Sequence, residues 1–130
     1  PFCADGPRQD EFLAEMRREV FDGRDGFLTV GEAPGITAER NEHITNPANG
    51  ELDMLFLFEH VDFDCDGVKW KPLPLDLPGF KRIMAGYQTA VENVGWASLF
   101  TGNHDQPRVV SRWGDDSSEE SRVRSAKALG

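Results

Sequence analysis

The sequence predicts an α/β fold in which short parallel strands alternate with helices. Three short apolar segments rich in strand-forming residues alternate with segments whose apolar residues recur at helical spacing. This order is typical of a parallel sheet covered by helices, because consecutive parallel strands need a crossover between them. With 130 residues, 38% of them hydrophobic, the chain is long enough to bury a core.

Four helices are predicted from apolar periodicity and from the residues that begin and end helices. The amphipathic pattern is clearest in the third predicted helix, and Gly95 is the signal that ends it. Ser117 or Ser118 is the signal that starts the fourth predicted helix. The predicted helices cover Gln9 to Phe21, a short stretch within 37–46, Gly79 to Val94, and the segment from Ser118 through Val123 and Ala126.

The three predicted strands are Phe27 to Val30, Met54 to Phe58 and Trp96 to Phe100. Each is too short for a helix, and glycines flank the first, which we interpret as a buried parallel strand. Three strands of this kind have open edges, so we expect apolar strand faces to stay partly exposed unless further strands cover them.

Composition and charge exclude several classes of function. The net charge is −9, and the basic residues are scattered, whereas nucleic-acid binding needs a cationic face; we therefore expect no nucleic-acid partner. No apolar run approaches the length of a membrane span, so we expect a soluble protein without a membrane partner. Cys3 and Cys65 are interpreted as free thiols, which fits a cytoplasmic location.

Polar residues capable of chemistry follow all three predicted strands. Glu32 follows the first, Glu59 and His60 follow the second, and Asn103, His104 and Asp105 follow the third. In an α/β barrel, the loops at the carboxyl ends of the strands build the active site. Three polar strand ends in succession therefore predict a shared site.

Two segments, TVGEAPG (residues 29–35) and TGNHDQPRVVSRWG (residues 101–114), resemble signature regions of glycoside hydrolase family 13, the α-amylase superfamily. The segment LFLFEHVDFD (residues 55–64) resembles the same family, and the likeness is greatest to its oligo-1,6-glucosidase and α-glucosidase branch. The resemblance implies that residues 1–130 are part of a catalytic (β/α)₈ TIM barrel, about strands five to seven with flanking helices. It also implies that the rest of the barrel comes from a longer parent chain.

The resemblance assigns roles to individual residues. Glu32 matches the general acid/base, Asp105 the third carboxylate that stabilises the transition state, and His104 the histidine that binds the sugar beside it. Phe58 and Arg108 are further candidates to border the substrate, and we expect Arg108 and Arg112 to order their loop by pairing with carboxylates. The implied activity is retaining hydrolysis of short α-glucosides, with no metal and no organic cofactor.

The setting of Glu32 agrees with an acid/base role. Retaining hydrolysis needs one carboxylic acid that is still protonated near neutral pH and a second carboxylate about 5 Å away. An apolar strand that delivers Glu32 would raise its pKa by removing water from around it. We therefore expect a partly desolvated Glu32 carboxyl.

Sucrose isomerases of the same branch are the alternative within the family. They typically carry a phenylalanine two residues after the acid/base, where this chain has Pro34, although Phe58 matches their second clamping aromatic residue. They also carry an Arg/Asp-rich segment where this chain reads KWKPL (residues 69–73). These differences favour hydrolysis.

A second alternative, from another class, is a non-catalytic acidic α/β module that binds a ligand or calcium. Asp62, Asp64, Asp66 and Gly67 match the start of an EF-hand calcium loop. The bidentate glutamate required at the twelfth position is Leu73 here, and the segment before the loop is predicted as a strand. These two mismatches favour a solvated acidic loop over a calcium site.

The isolated 130 residues are expected to have no glycosidase activity. The family's nucleophilic aspartate belongs to a motif at the end of barrel strand four, and the stretch before Glu32 contains no such motif. Without a nucleophile, the two displacements of the retaining reaction cannot both occur. Turnover of an aryl α-glucoside by the purified chain, above that of a Glu32→Gln control, would contradict this prediction.

Overall fold

A computed structural model describes residues 5–130 of the chain. The helices are α1 (Gln9–Met16), α2 (Ala38–Thr45), α3 (Glu59–Asp62), α4 (Leu77–Val91), α5 (Val109–Trp113) and α6 (Glu119–Leu129). The strands are β1 (Val30–Glu32) and β2 (Met54–Phe56), and α1 continues directly into a π-helical turn, Arg17–Phe21. Cys65 is a free thiol, as predicted, and Cys3 lies outside the described residues.

The two strands pair in parallel, with Val30 opposite Met54 and Glu32 opposite Phe56. Reciprocal hydrogen bonds between Thr29 and Asp53 fix where this pairing begins. The Asp53 carboxylate accepts hydrogen bonds from the backbone N–H and the hydroxyl of Thr29, both at 2.7 Å, and the Asp53 N–H donates to Thr29 Oγ1 at 3.0 Å. The strand prediction was therefore right in direction and order.

The extent and the burial of the first strand were predicted wrongly. Its ladder starts at Val30, so Phe27 and Leu28 lie outside it and are 57% and 65% exposed. These residues are apolar enough for a strand, but no neighbouring backbone in the described chain pairs with them. The exposure agrees with the expectation that apolar strand faces remain partly uncovered.

The third predicted strand is present only as one parallel bridge, between Ser98 and Phe56. The segment therefore lies beside β2 in the predicted place and direction, but it does not form a continuous ladder. Trp96 and Leu99, on either side of the bridge, are 74% and 42% exposed. The order across the sheet is β1, β2 and then the Ser98 segment.

The four predicted helices are confirmed, with small shifts at their ends. α4 begins at Leu77 rather than Gly79, because the Asp76 side chain accepts a hydrogen bond from the Gly79 N–H and so caps an earlier first turn. Ser118 caps α6 in the same way by accepting from the Ser121 N–H. The short helices α3 and α5 were not predicted, since neither is long enough to show a period.

The core lies where α2 and α4 pack against the sheet. Its buried members are Ala33, Ile44, Leu55, Leu57 and Tyr87. Gly31 allows this close packing, because a Cβ atom at that position would lie 2.8 Å from Leu52 Cδ1 and 2.9 Å from Leu55 Cδ2. Within residues 5–130, no helix combines the length and the apolar character needed to cross a membrane.

Candidate active site

Three chain segments end at the same edge of the sheet. Glu32, the last residue of β1, is paired with Phe56 of β2, and Phe56 bridges Ser98 in the parallel sense. Because all three segments run in the same direction, the residues that follow them leave from one edge. Glu32, Phe58 and the loop that contains His104 and Asp105 therefore belong to the carboxyl edge of the sheet.

The backbone around Glu32 is anchored, but its side chain is open to solvent. The N–H of the next residue, Ala33, donates to the Phe56 carbonyl at 3.0 Å and is buried, which fixes the end of the strand. The Glu32 residue itself is exposed. The expectation of a desolvated carboxyl is therefore not met in this chain, because none of the described residues covers the open side of the strand end.

Three aromatic rings pack at this edge. The Phe100 ring meets the Phe56 ring edge-on at a centroid distance of 5.5 Å and the Phe58 ring at 5.9 Å. Edge-to-face contacts at such distances are favourable for aromatic pairs. They hold Phe58, a half-buried candidate for substrate contact, beside the start of the loop that leads to His104.

The loop that carries His104 and Asp105 is shaped by Asn103. The Asn103 side-chain oxygen accepts a hydrogen bond from the Asp105 N–H at 2.9 Å, a local turn that asparagine favours. His104 Nε2 lies 3.6 Å from Asp105 Oδ2, and both side chains are largely exposed. Arg108, the residue before α5, is exposed as well.

A buried ion pair fixes the far end of this loop. Arg112 of α5 and Asp64 are each only 1% exposed in their side chains, and Arg112 Nε donates to Asp64 Oδ2 at 2.8 Å. Arg112 also donates to Gln106 Oε1 at 3.2 Å, and Trp113 Nε1 donates to Asp64 Oδ2 at 2.8 Å. Since Gln106 directly follows Asp105, the pair restrains the candidate carboxylate through the backbone. The expectation that Arg112 orders this loop by pairing with a carboxylate is confirmed, whereas the exposed Arg108 pairs with no carboxylate among the described residues.

His60 was predicted as a polar strand-end residue, and the structure gives it a buried position. Its Nε2 lies 2.7 Å from the Phe100 carbonyl oxygen, and its backbone N–H donates to the Tyr87 hydroxyl at 3.3 Å. Burial lowers the pKa of His60, so the neutral ring, with Nε2 as the donor to the carbonyl, is favoured. His60 therefore links α3 to the start of the His104 loop.

The geometry removes the support for a calcium loop. Asp64, which would be the second acidic ligand, is occupied by Arg112 and Trp113. The residue after it, Cys65, instead forms an antiparallel bridge with Pro72, and the exposed Asp62 and Asp66 flank this buried pair. A calcium ion would have to displace a fully buried guanidinium, which is costly.

The Asp64–Arg112 pair predicts a specific dependence of stability on pH. Burial alone would raise the pKa of Asp64, but the hydrogen bonds from Arg112 and Trp113 outweigh it and lower the pKa. The stabilisation is therefore present above the unfolded pKa of about 3.9 and is lost as the pH falls through the lower folded pKa. Asp64→Asn should reduce the free energy of unfolding at pH 7 by about 3–5 kcal/mol, because it leaves Arg112 buried and unpaired. It should also weaken the loss of stability on acidification.

Urea unfolding at pH 7 and pH 3 measures both effects. The matched control is Asp66→Asn, which removes an exposed carboxylate two residues away. Equal losses in the two variants at pH 7 would contradict a special role for the buried pair.

Comparison with known proteins places the chain in a family. The family described as the catalytic domain of α-amylase matches residues 1–130. The oligo-1,6-glucosidase of Parageobacillus thermoglucosidasius is 48% identical over 129 residues, which cover 98% of this chain and 22% of that protein. The trehalose-6-phosphate hydrolase of Bacillus subtilis (strain 168) is 48% identical over 130 residues, covering 98% of this chain and 23% of that protein.

A solved structure of the trehalulose synthase MutB from Pseudomonas mesoacidophila MX-45 superposes with a TM-score of 0.84 at 34% sequence identity. It is an inactive double mutant in complex with isomaltulose, and the match covers 96% of this chain and 22% of that one. The chain thus spans about a fifth of the length of the relatives it matches. The predicted fold class is confirmed, and the chain belongs to the α-amylase family, glycoside hydrolase family 13, as part of its catalytic (β/α)₈ barrel domain.

Proposed function

We propose that the protein containing this chain is a retaining α-glucosidase that hydrolyses α-glucosidic bonds in short oligosaccharides, similar to the oligo-1,6-glucosidases. The observation that carries the proposal is the shared edge of Glu32 and the His104–Asp105 loop. Two acidic residues from distant parts of the sequence thereby leave the sheet on the side where barrel enzymes bind their substrates. The 48% identity to an oligo-1,6-glucosidase supports the same substrate class.

In this proposal, Glu32 first acts as the acid and then as the base. Its carboxyl proton passes to the glycosidic oxygen as the bond to the anomeric carbon breaks, and the resulting carboxylate later takes a proton from the attacking water. The Asp105 side chain accepts hydrogen bonds from sugar hydroxyls and stabilises the positive charge that develops on the ring. The nucleophilic aspartate comes from a part of the parent barrel outside residues 1–130.

Three further side chains are proposed to hold the sugar. The His104 imidazole would hydrogen-bond to a hydroxyl next to Asp105, and the Phe58 ring would pack against an apolar face of the sugar. Arg108, which is exposed at the start of α5, would border the substrate as a charged donor. None of these roles requires a metal or an organic cofactor.

The remainder of the barrel is proposed to complete the site. The apolar residues Phe27, Leu28 and Trp96 are more than half exposed, although they flank the strand pairing that the core depends on. Further strands of the parent barrel would cover these apolar residues and would bring the nucleophilic aspartate to the same carboxyl edge as Glu32. Residues 1–130 are thus one part of a catalytic domain, and a cytoplasmic location remains part of the proposal.

A chimera tests the role of Glu32. In it, this chain replaces the 129 matched residues of the P. thermoglucosidasius oligo-1,6-glucosidase, so that the host supplies the rest of the barrel. Glu32→Gln should lower kcat/KM for isomaltose by about 10²–10⁴-fold, because general acid/base catalysis contributes that much. The loss should be smaller for 4-nitrophenyl α-glucoside, whose leaving group is stable without a proton.

The control for this experiment is Glu39→Gln, which removes an exposed carboxylate in the first turn of α2. It should retain the kcat/KM of the unaltered chimera with both substrates. Equal losses for isomaltose and the aryl glucoside in Glu32→Gln would contradict an acid/base role, since a purely structural defect does not depend on the leaving group.

The similarity to a trehalulose synthase makes sucrose isomerisation the second candidate, and product analysis distinguishes it. With sucrose, the chimera should release glucose and fructose as its main products. Pro34→Phe should increase the fraction of isomaltulose and trehalulose, because it supplies the phenylalanine that sucrose isomerases typically carry two residues after the acid/base. Isomers as the main products of the unaltered chimera, measured by liquid chromatography, would contradict the hydrolytic assignment.

A further inference from the structure

A cluster of three potential metal ligands lies at the opposite end of the sheet from the candidate active site. Asp10 belongs to α1, His43 to α2, and Glu51 to the turn before β2. Glu51 precedes the first residue of β2 by three positions, whereas Glu32 is the last residue of β1. Because the strands are parallel, the Asp10–His43–Glu51 cluster lies at the amino end of the sheet.

The three side chains converge on one point. His43 Nε2 lies 3.2 Å from Asp10 Oδ2 and 3.4 Å from Glu51 Oε1, and one donor atom from each residue lies within 4.8 Å of the other two. Tetrahedral zinc with bonds of about 2.1 Å separates its ligand atoms by about 3.4 Å. The cluster therefore has the spacing of three ligands around a single ion.

The burial of Glu51 indicates that a positive charge or a hydrogen-bond donor is missing beside its carboxylate. Its side chain is only 2% exposed, and its second carboxylate oxygen, Oε2, is buried without a hydrogen-bond partner among the described residues. A buried carboxylate with an unpartnered oxygen is costly unless a cation or a donor compensates it.

Arg40 supplies only part of this compensation. Its guanidinium donates to both oxygens of Asp10 and to Asp5 Oδ1 at 2.8 Å, which leaves three carboxylates around one permanent cation. Arg40 also orients Asp10, as the hydrogen-bond partners of metal ligands commonly do. Of the two His43 ring nitrogens, Nε2 is the one that faces the carboxylates of Asp10 and Glu51.

We propose that Asp10, His43 and Glu51 bind a Zn²⁺ ion. One imidazole nitrogen with two carboxylate oxygens is a ligand set that suits Zn²⁺, whereas Ca²⁺ and Mg²⁺ prefer oxygen ligands alone. The ion would tie α1, α2 and the turn before β2 together. At the amino end of a barrel sheet, such a site stabilises the fold and takes no part in the reaction.

Zinc titration of matched variants tests this proposal. Cys3 and Cys65 are replaced by serine in every protein, so that thiolates do not compete for the metal. After chelator treatment, the chain should bind one equivalent of Zn²⁺ in isothermal titration calorimetry, and its melting temperature should rise with zinc concentration. His43→Gln and Asp10→Asn should each weaken binding at least ten-fold and abolish the rise.

The controls are Glu39→Gln, an exposed acid on the same helix, and His104→Gln, the other exposed histidine beside a carboxylate. Both should bind zinc as the unaltered chain does. All variants are also made in the chimera with the P. thermoglucosidasius enzyme, so that poor folding of the isolated chain does not decide the outcome. The absence of saturable binding, or equal affinity in His43→Gln, would overturn the proposal, and contacts between His43 and the two carboxylates would then account for the cluster.

Discussion

The parallel pairing of β1 with β2 is the constraint on which the rest of the structure depends. A slip of one residue would turn every side chain of a strand to the opposite face, so the register has to be fixed locally. Thr29 and Asp53 fix it by exchanging hydrogen bonds at the point where the ladder begins. As a result Leu55 points into the core, and Glu32 lies at the free edge beside Phe56.

Buried polar contacts also fix the position of the loop that follows the Ser98 segment and contains Asp105. His60 binds the Phe100 carbonyl at the start of the loop, and Arg112 binds Gln106 at its end. A buried ion pair such as Asp64–Arg112 adds little net stability compared with an apolar pair, but it tolerates few alternative arrangements because an unpaired buried charge is costly. These contacts therefore specify the position of Asp105 more than they stabilise the fold.

The two ends of the sheet have different physical characters. At the carboxyl edge, the acidic residues are open to solvent and the aromatic rings are half-buried, which suits the proposed surface that binds a sugar and is covered by further parts of a barrel. At the amino end, Glu51 is buried among other acids with incomplete compensation. We therefore propose that the carboxyl edge carries the chemistry while the amino end holds the helices in place.

The sequence by itself determined the element order, the parallel direction of the strands, and the family with its candidate residues Glu32, His104 and Asp105. Local patterns carry this information, because periodicity, capping residues and signature segments are read within about 5–15 neighbouring residues. Tertiary structure alone decided the exposure of Glu32, the reduction of the third predicted strand to one bridge, the buried position of His60 and the convergence of Asp10, His43 and Glu51. Each of these depends on which backbone or side chain from a distant part of the chain lies opposite, and residue spacing does not encode that.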